Sequence, residues 1–118
     1  MILSGSDAEQ LADDYLQQHK LRLVTKNYHS RRGEIDLIMQ EQQTLVFVEV
    51  RYRKNSRFGS ALESVNRQKQ LKIIATAEHY LMQNKADYSD YRFDVVAISP
   101  DENNKPVITW LKDAFQLD

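Results

Sequence analysis

The chain has 118 residues, 42% of them apolar and 28% charged, enough for one hydrophobic core and too few for two ordinary domains. It contains no cysteine, which excludes disulfide scaffolds, thiolate zinc sites and cysteine nucleophiles and leaves only oxygen or imidazole for any metal. The formal net charge is −1, yet the stretch from Lys20 to Lys72 holds twelve basic and five acidic residues. With Tyr28, Tyr52 and Phe58 among them, these residues have the pattern of a phosphate-binding surface, although from charge alone an ordinary solvated face is the commoner meaning of such a stretch.

Ser6 to Glu9 has capping-box spacing, and Ala8, Leu11, Ala12, Tyr15 and Leu16 recur at helical intervals, predicting an amphipathic helix to about Gln18. Leu21–Tyr28 reads as a strand that ends in a polar, basic turn from His29 to Gly33. Glu34–Gln40 and Leu45–Tyr52 read as two further strands paired about Gln42 and Gln43. Arg53 to Ser64 lacks periodicity. A second helix is predicted from near Asn66, on the stripe Leu71, Ile74, Ala75, Glu78, Leu81 and Met82. Arg92–Ile98 is a strongly apolar strand, Pro100 to Pro106 a turn, and Val107–Leu111 a short closing strand followed by a helical turn. The predicted order is α-β-β-β-α-β-β. A strand, a long helix and another buried strand imply a crossover, hence a parallel pair in a mixed sheet. No apolar run is long enough to cross a membrane and the start has no secretory pattern, so a cytoplasmic protein without a membrane partner is expected.

A symmetric hairpin about Gln42 and Gln43 places Asp36 opposite Glu49 and Glu34 opposite Arg51 on one face. Ile35, Leu37 and Met39 then lie against Val50, Val48 and Val46 on the other. Two carboxylates directly opposite stand about 5 Å apart at Cβ, and such like charges destabilise a sheet unless a proton or a cation intervenes. Oxygen donors select hard ions, so Mg²⁺ or Mn²⁺ is expected there, able to polarise a phosphate and to lower the pKa of a bound water. Arg51 would add positive charge for phosphate oxygens. The competing reading is purely structural, with Glu34 and Arg51 as a cross-strand ion pair and Asp36 bonded to a loop. Glu9 is open between a capping role and a third acid. Other chemistries lack support: the three histidines have no ligand spacing, no serine sits in a nucleophile elbow, and no glycine-rich phosphate loop is present.

Several blocks carry a family resemblance: Ala8-Glu9 with Leu11-Ala12 and Tyr15-Leu16, Asn27-Tyr28, and Arg32-Gly33-Glu34-Ile35-Asp36-Leu37-Ile38. They continue with Val46-Phe47-Val48-Glu49-Val50-Arg51-Tyr52-Arg53, Phe58-Gly59-Ser60, Lys69-Gln70 and Arg92-Phe93-Asp94-Val95-Val96-Ala97. Together they resemble the YraN family of small bacterial endonuclease-like proteins. That resemblance covers nearly the whole chain and implies a single α/β domain with a restriction-endonuclease-like αβββαβ core, a mixed central sheet flanked by helices. It also implies a Mg²⁺- or Mn²⁺-dependent nuclease of the Holliday-junction-resolvase-like type acting on DNA, with a homodimer as in resolvase-like relatives.

Residue by residue, the resemblance makes Asp36, Glu49 and the Val50 carbonyl metal ligands and Glu9 an outer acid, and it puts Arg51 in the position of the superfamily's catalytic lysine. Arg32, Arg53, Lys54 and Arg57 would grip the nucleic-acid backbone, and Lys69 and Gln70 would touch a phosphate. Arginine stays charged where lysine can lose a proton, so Arg51 also admits a catalytically impaired nucleic-acid-binding protein. A third reading is a protein interaction module whose charged face is a salt-bridge network.

Overall fold

A computed structural model describes residues 3–54, 59–84 and 90–117. Helix α1 spans Gly5–Gln18, and strands β1 (Arg22–Ser30), β2 (Gly33–Glu41) and β3 (Thr44–Tyr52) follow. After a 3-10 turn over Leu62–Ser64 come helix α2 (Arg67–Gln83) and strands β4 (Asp90–Pro100) and β5 (Pro106–Phe115). The strands lie side by side in chain order; β3 and β4 are parallel, joined through α2, and every other neighbouring pair is antiparallel. This is a mixed five-stranded sheet between two helices, consistent with a restriction-endonuclease-like core. No helix among the described residues is long and apolar enough to cross a membrane.

The helices form because each has a cap and an apolar stripe. The capping box of α1 is Ser4 with Asp7, two residues before the spacing that Ser6 and Glu9 suggest: Ser4 Oγ accepts the Asp7 N–H at 3.1 Å, and Asp7 returns a bond to the Ser4 N–H at 3.2 Å. Glu9 is thereby released from the cap. Ala8, Ala12 and Leu16 then pack with Leu37, Met39, Val46, Val48, Val96 and Ile98 on one face of the sheet. On the other face, Ile73, Ile74, Ala77 and Tyr80 of α2 cover Ile35, Ile38, Leu45, Phe47, Phe93 and Val95. Each such aliphatic or aromatic side chain, fully buried, contributes about 1.5–3 kcal/mol before the cost of ordering it.

Asn66 caps α2, its side chain accepting the Lys69 N–H at 2.8 Å. Asn66→Ala is expected to cost about 1 kcal/mol of stability, measured by thermal or urea unfolding.

The β2–β3 hairpin has the predicted register, with Leu37 opposite Val48, Ile38 opposite Phe47 and Met39 opposite Val46. Its turn is the tight two-residue loop despite the unfavourable Gln-Gln pair: Gln42 takes the left-handed conformation (φ 54°), and Gln40 Nε2 holds the Gln42 carbonyl at 2.7 Å. Beyond Leu37 and Val48 the expected alternation fails. Ile35 belongs with the α2 side, whereas Leu37 lies under α1. The neighbouring strand changes face at the same level: Lys26 reaches Gln10 and Asp13 of α1, whereas Tyr28, two residues on, packs against His79 and Tyr80 of α2. The step falls at Asn27, whose φ of 51° breaks the extended backbone and which is of a residue type that tolerates such a conformation.

The C-terminus also departs from expectation, since β5 continues to Phe115 where a helical turn was predicted. A register shift between Phe93 and Val95, with Asp113 at φ 52°, carries the strand onward to pair Phe115 with Phe93.

Candidate functional site

The face change at Asn27 and Asp36 has a chemical result. Asp36 lies where the β2–β3 ladder has ended, and its carboxylate accepts the Val50 N–H at 2.8 Å, in the place a strand carbonyl would take. A residue's N–H and C=O leave an extended strand on the same side, so the Val50 carbonyl is also directed toward β2. Glu49 is 5% exposed and its carboxyl is in hydrogen-bond contact with that of Asp36. Burial, and next the Asp36 charge, push Glu49 up to about 8. Burial likewise raises Asp36, against the opposing hydrogen bonds from Val50 and Glu49. The two acids predicted to face one another therefore do meet, in a buried setting that favours a proton between them.

Glu9, on α1, approaches from the other side of the sheet. Burial and the Asp36 charge raise its pKa, and a hydrogen bond from Asn27 opposes them. Asn27 thus both creates the break in β1 and holds the outer acid. Its role was missed from sequence, although an asparagine interrupting a strand pattern is itself a signal of left-handed backbone. Among the described residues no three acidic or imidazole side chains close into a metal cage; the oxygen donors that the fold brings together are those of the Asp36–Glu49 pair. Such an all-oxygen set fits a hard divalent ion that keeps several waters, as Mg²⁺ does.

The basic residues are placed in different settings. Arg51 is two-fifths exposed and approaches Glu49 no closer than 3.7 Å, without bidentate geometry. The Glu34–Arg51 ion pair of the competing, purely structural reading is not formed: Glu34 sits 3.3 Å from His29 on β1. Lys69, on the first turn of α2, acts electrostatically on both Asp36 and Glu49. Arg32 and Lys54 are exposed. Arg53 is engaged in holding the loop, donating to the Gly59 and Ser60 carbonyls at 2.9 Å each. The Gln70 amide is occupied at both ends, donating to the Val65 carbonyl at 2.9 Å and accepting from Arg67 at 3.0 Å. Arg57 and Phe58 lie outside the described residues.

Gly33 sets the distance between the β1–β2 hairpin and α2. It has φ +155°, and a Cβ there would stand 3.3 Å from Thr76 Oγ1 and 3.6 Å from Lys72 Cβ. That close approach lets the first turns of α2 lie beside the carboxylates.

A mixed sheet held between two helices, with an acidic pair on adjacent strands where their ladder opens, defines an α/β protein with a restriction-endonuclease-like core. The chain belongs to the uncharacterised protein family UPF0102, the YraN family, whose profile matches residues 8–98. It is 50% identical to a UPF0102 protein of Nitrosococcus oceani, over 97% of this chain and 92% of that protein. A UPF0102 protein of Nitrosomonas europaea is 52% identical over 94% of this chain and 92% of its own length. One from Legionella pneumophila is 50% identical over the same shares.

Proposed function

We propose that the protein is a Mg²⁺- or Mn²⁺-dependent DNA endonuclease of the Holliday-junction-resolvase-like type, hydrolysing phosphodiester bonds. The observation that carries this reading is the contact between Asp36 and Glu49 beyond the end of the β2–β3 ladder, where a half-buried and a buried carboxyl face one another. Asp36, Glu49 and the Val50 carbonyl would hold the ion, which when bound polarises a phosphodiester and lowers the pKa of water.

The chain's own residues do the rest. The Val50 N–H fixes one Asp36 oxygen, leaving the other for the ion. Glu9, whose proton affinity burial raises, is placed to accept or return a proton at the outer edge. Arg32 and Lys54 offer exposed charge to the flanking backbone, while Arg53 shapes the loop between them and α2.

The test is incubation of the protein and of Asp36→Ala with linear, single-stranded and four-way-junction DNA in Mg²⁺ and in Mn²⁺. Cleavage by the wild type, reduced at least about 10³-fold in the variant, is the expected result. Equal activity in both identifies a contaminant and removes the reading.

Arg51 supports a second reading, a nucleic-acid-binding protein with the same fold and impaired hydrolysis, because arginine cannot release a proton to assist water activation. Salt-dependent DNA binding without cleavage in either ion selects it.

A further inference from the structure

We propose that the cavity between α2, the start of β4 and the end of β5 docks a different protein, through a segment in which a lysine or arginine stands beside apolar residues. This site is separate from the carboxylate pair and does not depend on what that pair does.

The cavity arises from the way the chain leaves the sheet. β5 pairs with β4 only as far as Phe115, opposite Phe93, so among the described residues no strand lies beside Asp90, Tyr91 and Arg92 on that side. The chain is drawn toward α2 instead: Arg67 donates to the Gln116 carbonyl at 2.7 Å and also to the Leu117 carbonyl. A cavity of about 300 Å³ is left between them. Its floor is the buried Ile74 and Phe93, and its mouth is set with the exposed Glu78, Asp90, Tyr91, Asp113 and Leu117.

The mouth combines apolar surface with uncompensated negative charge. Tyr91 is 46% exposed, although its ring packs edge-on against Phe93 and Phe47, and Leu117 is 62% exposed. Leu71, one turn along α2 from Arg67, is 43% exposed. One such side chain on a surface is ordinary, but several around one cavity mark a contact site. Among the described residues Glu78, Asp90 and Asp113 have no ion-pair partner, and the charge of Arg92, which also lines the cavity, is taken up by Asp94 at 3.0 Å and Glu41 at 2.8 Å.

Three carboxylates around aromatic and aliphatic walls repel phosphate and attract a cation with an apolar stem. A guanidinium or ammonium can bond to the carboxylates and lie against the Tyr91 ring, and the volume suits a single long side chain. A second copy of this chain fits less well. A two-fold contact here would set these acids against the same acids, and a head-to-tail contact with the basic stretch Lys20 to Lys72 would build rings or open chains.

The test begins with a random-peptide library displayed on phage, selected on the wild type and counter-selected on Asp90→Lys/Tyr91→Ala, with folding of both checked by circular dichroism. The enriched sequences are expected to pair arginine or lysine with neighbouring aliphatic or aromatic residues. The most enriched peptide, fluorescently labelled, is then titrated with single variants. Glu78→Lys and Asp90→Lys are each expected to weaken binding about tenfold and Leu117→Ser about threefold. Glu102→Lys, the same charge change on an exposed turn, is expected to leave it unaltered. Replacing the peptide's arginine or lysine by glutamine should weaken binding as much as Asp90→Lys does.

No enrichment over the counter-selection, an acidic or uncharged consensus, or an equal loss in Glu102→Lys overturns the proposal. Self-association of the wild type in light scattering that Asp90→Lys abolishes also overturns it, because the occupant is then a second copy.

Discussion

Asp94→Ala is expected to cost about 3–5 kcal/mol of stability and to lower the unfolding midpoint by more than 10 °C, at roughly 4 °C per kcal/mol for a chain of this size. The reason is the number of donors that depend on one carboxylate. Asp94 is fully buried and accepts from Arg92 Nε at 3.0 Å, Arg92 Nη2 at 3.2 Å, Trp110 Nε1 at 2.9 Å and the Asp113 N–H at 2.9 Å. Arg92 is itself mostly buried and is held on its other side by Glu41 at 2.8 Å, a contact that depresses the Glu41 pKa.

Truncation leaves a guanidinium without half of its charge partner and two N–H groups without acceptors, which costs more than the pair contributes when intact. Asp94→Asn keeps the volume but turns an amide N–H₂ toward donors, so it should recover only part of the loss. Urea unfolding, followed by Trp110 fluorescence and by circular dichroism, measures both variants. A cost below about 1 kcal/mol for Asp94→Ala would remove the hub from the account of this fold. The same bonds explain why β5 continues past Leu111: Asp94 takes the Asp113 N–H at the register shift, so the chain passes the irregularity and resumes pairing at Phe115.

The order and type of the elements were legible in the amino-acid sequence; what a backbone irregularity governs was not, nor was the buried face of α2, where Leu71 and Met82 of the expected stripe are exposed and Ile73, Ile74, Ala77 and Tyr80 turn inward. The order of helices and strands, the crossover through α2 and the β2–β3 register follow from apolar periodicity, because a one-residue slip would bury Gln40 or expose Met39. The meeting of Asp36 and Glu49 was legible for the same reason. Ile35 was placed on the wrong face because strict alternation was carried through Asp36, and only the left-handed backbone at Asn27 in the adjoining strand shows where it breaks.

The Glu34–Arg51 ion pair of the competing reading fails because β1, not β3, supplies the partner of Glu34. Cross-strand pairing with His29 is the nearer choice once β1 lies beside β2. Lys69 illustrates a different limit. Its position on an exposed helix face or over the carboxylates depends on how closely α2 docks, which Gly33 decides from another element. A charge that could be exposed in a helical wheel comes within electrostatic reach of the carboxylates only through that tertiary approach.

Without a divalent ion, the protein should lose stability as pH rises from about 4.5 to about 8, and Glu49→Gln should abolish most of that dependence. Folding carries the Glu49 carboxyl from its ordinary 4.5 to about 8, chiefly by burial and then by the Asp36 charge. Between those values the folded chain keeps a proton that the unfolded chain has released. Unfolding then releases a proton, and stability falls with pH, by up to about 1.4 kcal/mol per unit. Below the window both states are protonated and the contribution is constant; above it both are ionised and the penalty is complete. Asp36, also raised by burial, adds a change of the same sign from its own ordinary value upward.

Because the two carboxyls share one environment, the combined loss is expected to be several kcal/mol, set by the pair as a whole rather than by the sum of two independent shifts. Glu41 works in the opposite direction: Arg92 lowers its pKa, so the stability it contributes is present above its unfolded value and is lost only as pH falls through the lower folded one. Its range lies below the Glu49 window. Urea midpoints at several pH values between 5 and 9 in a chelator should therefore fall for the wild type and stay nearly level for Glu49→Gln, which is the more stable of the two at the alkaline end. Adding Mg²⁺ should raise the alkaline midpoint of the wild type and not that of the variant, since the ion binds the ionised pair and so replaces the proton. A level wild-type profile in chelator, or a variant that retains the full slope, would mean that the two carboxyls are already compensated within the protein and that no cation is called for between them.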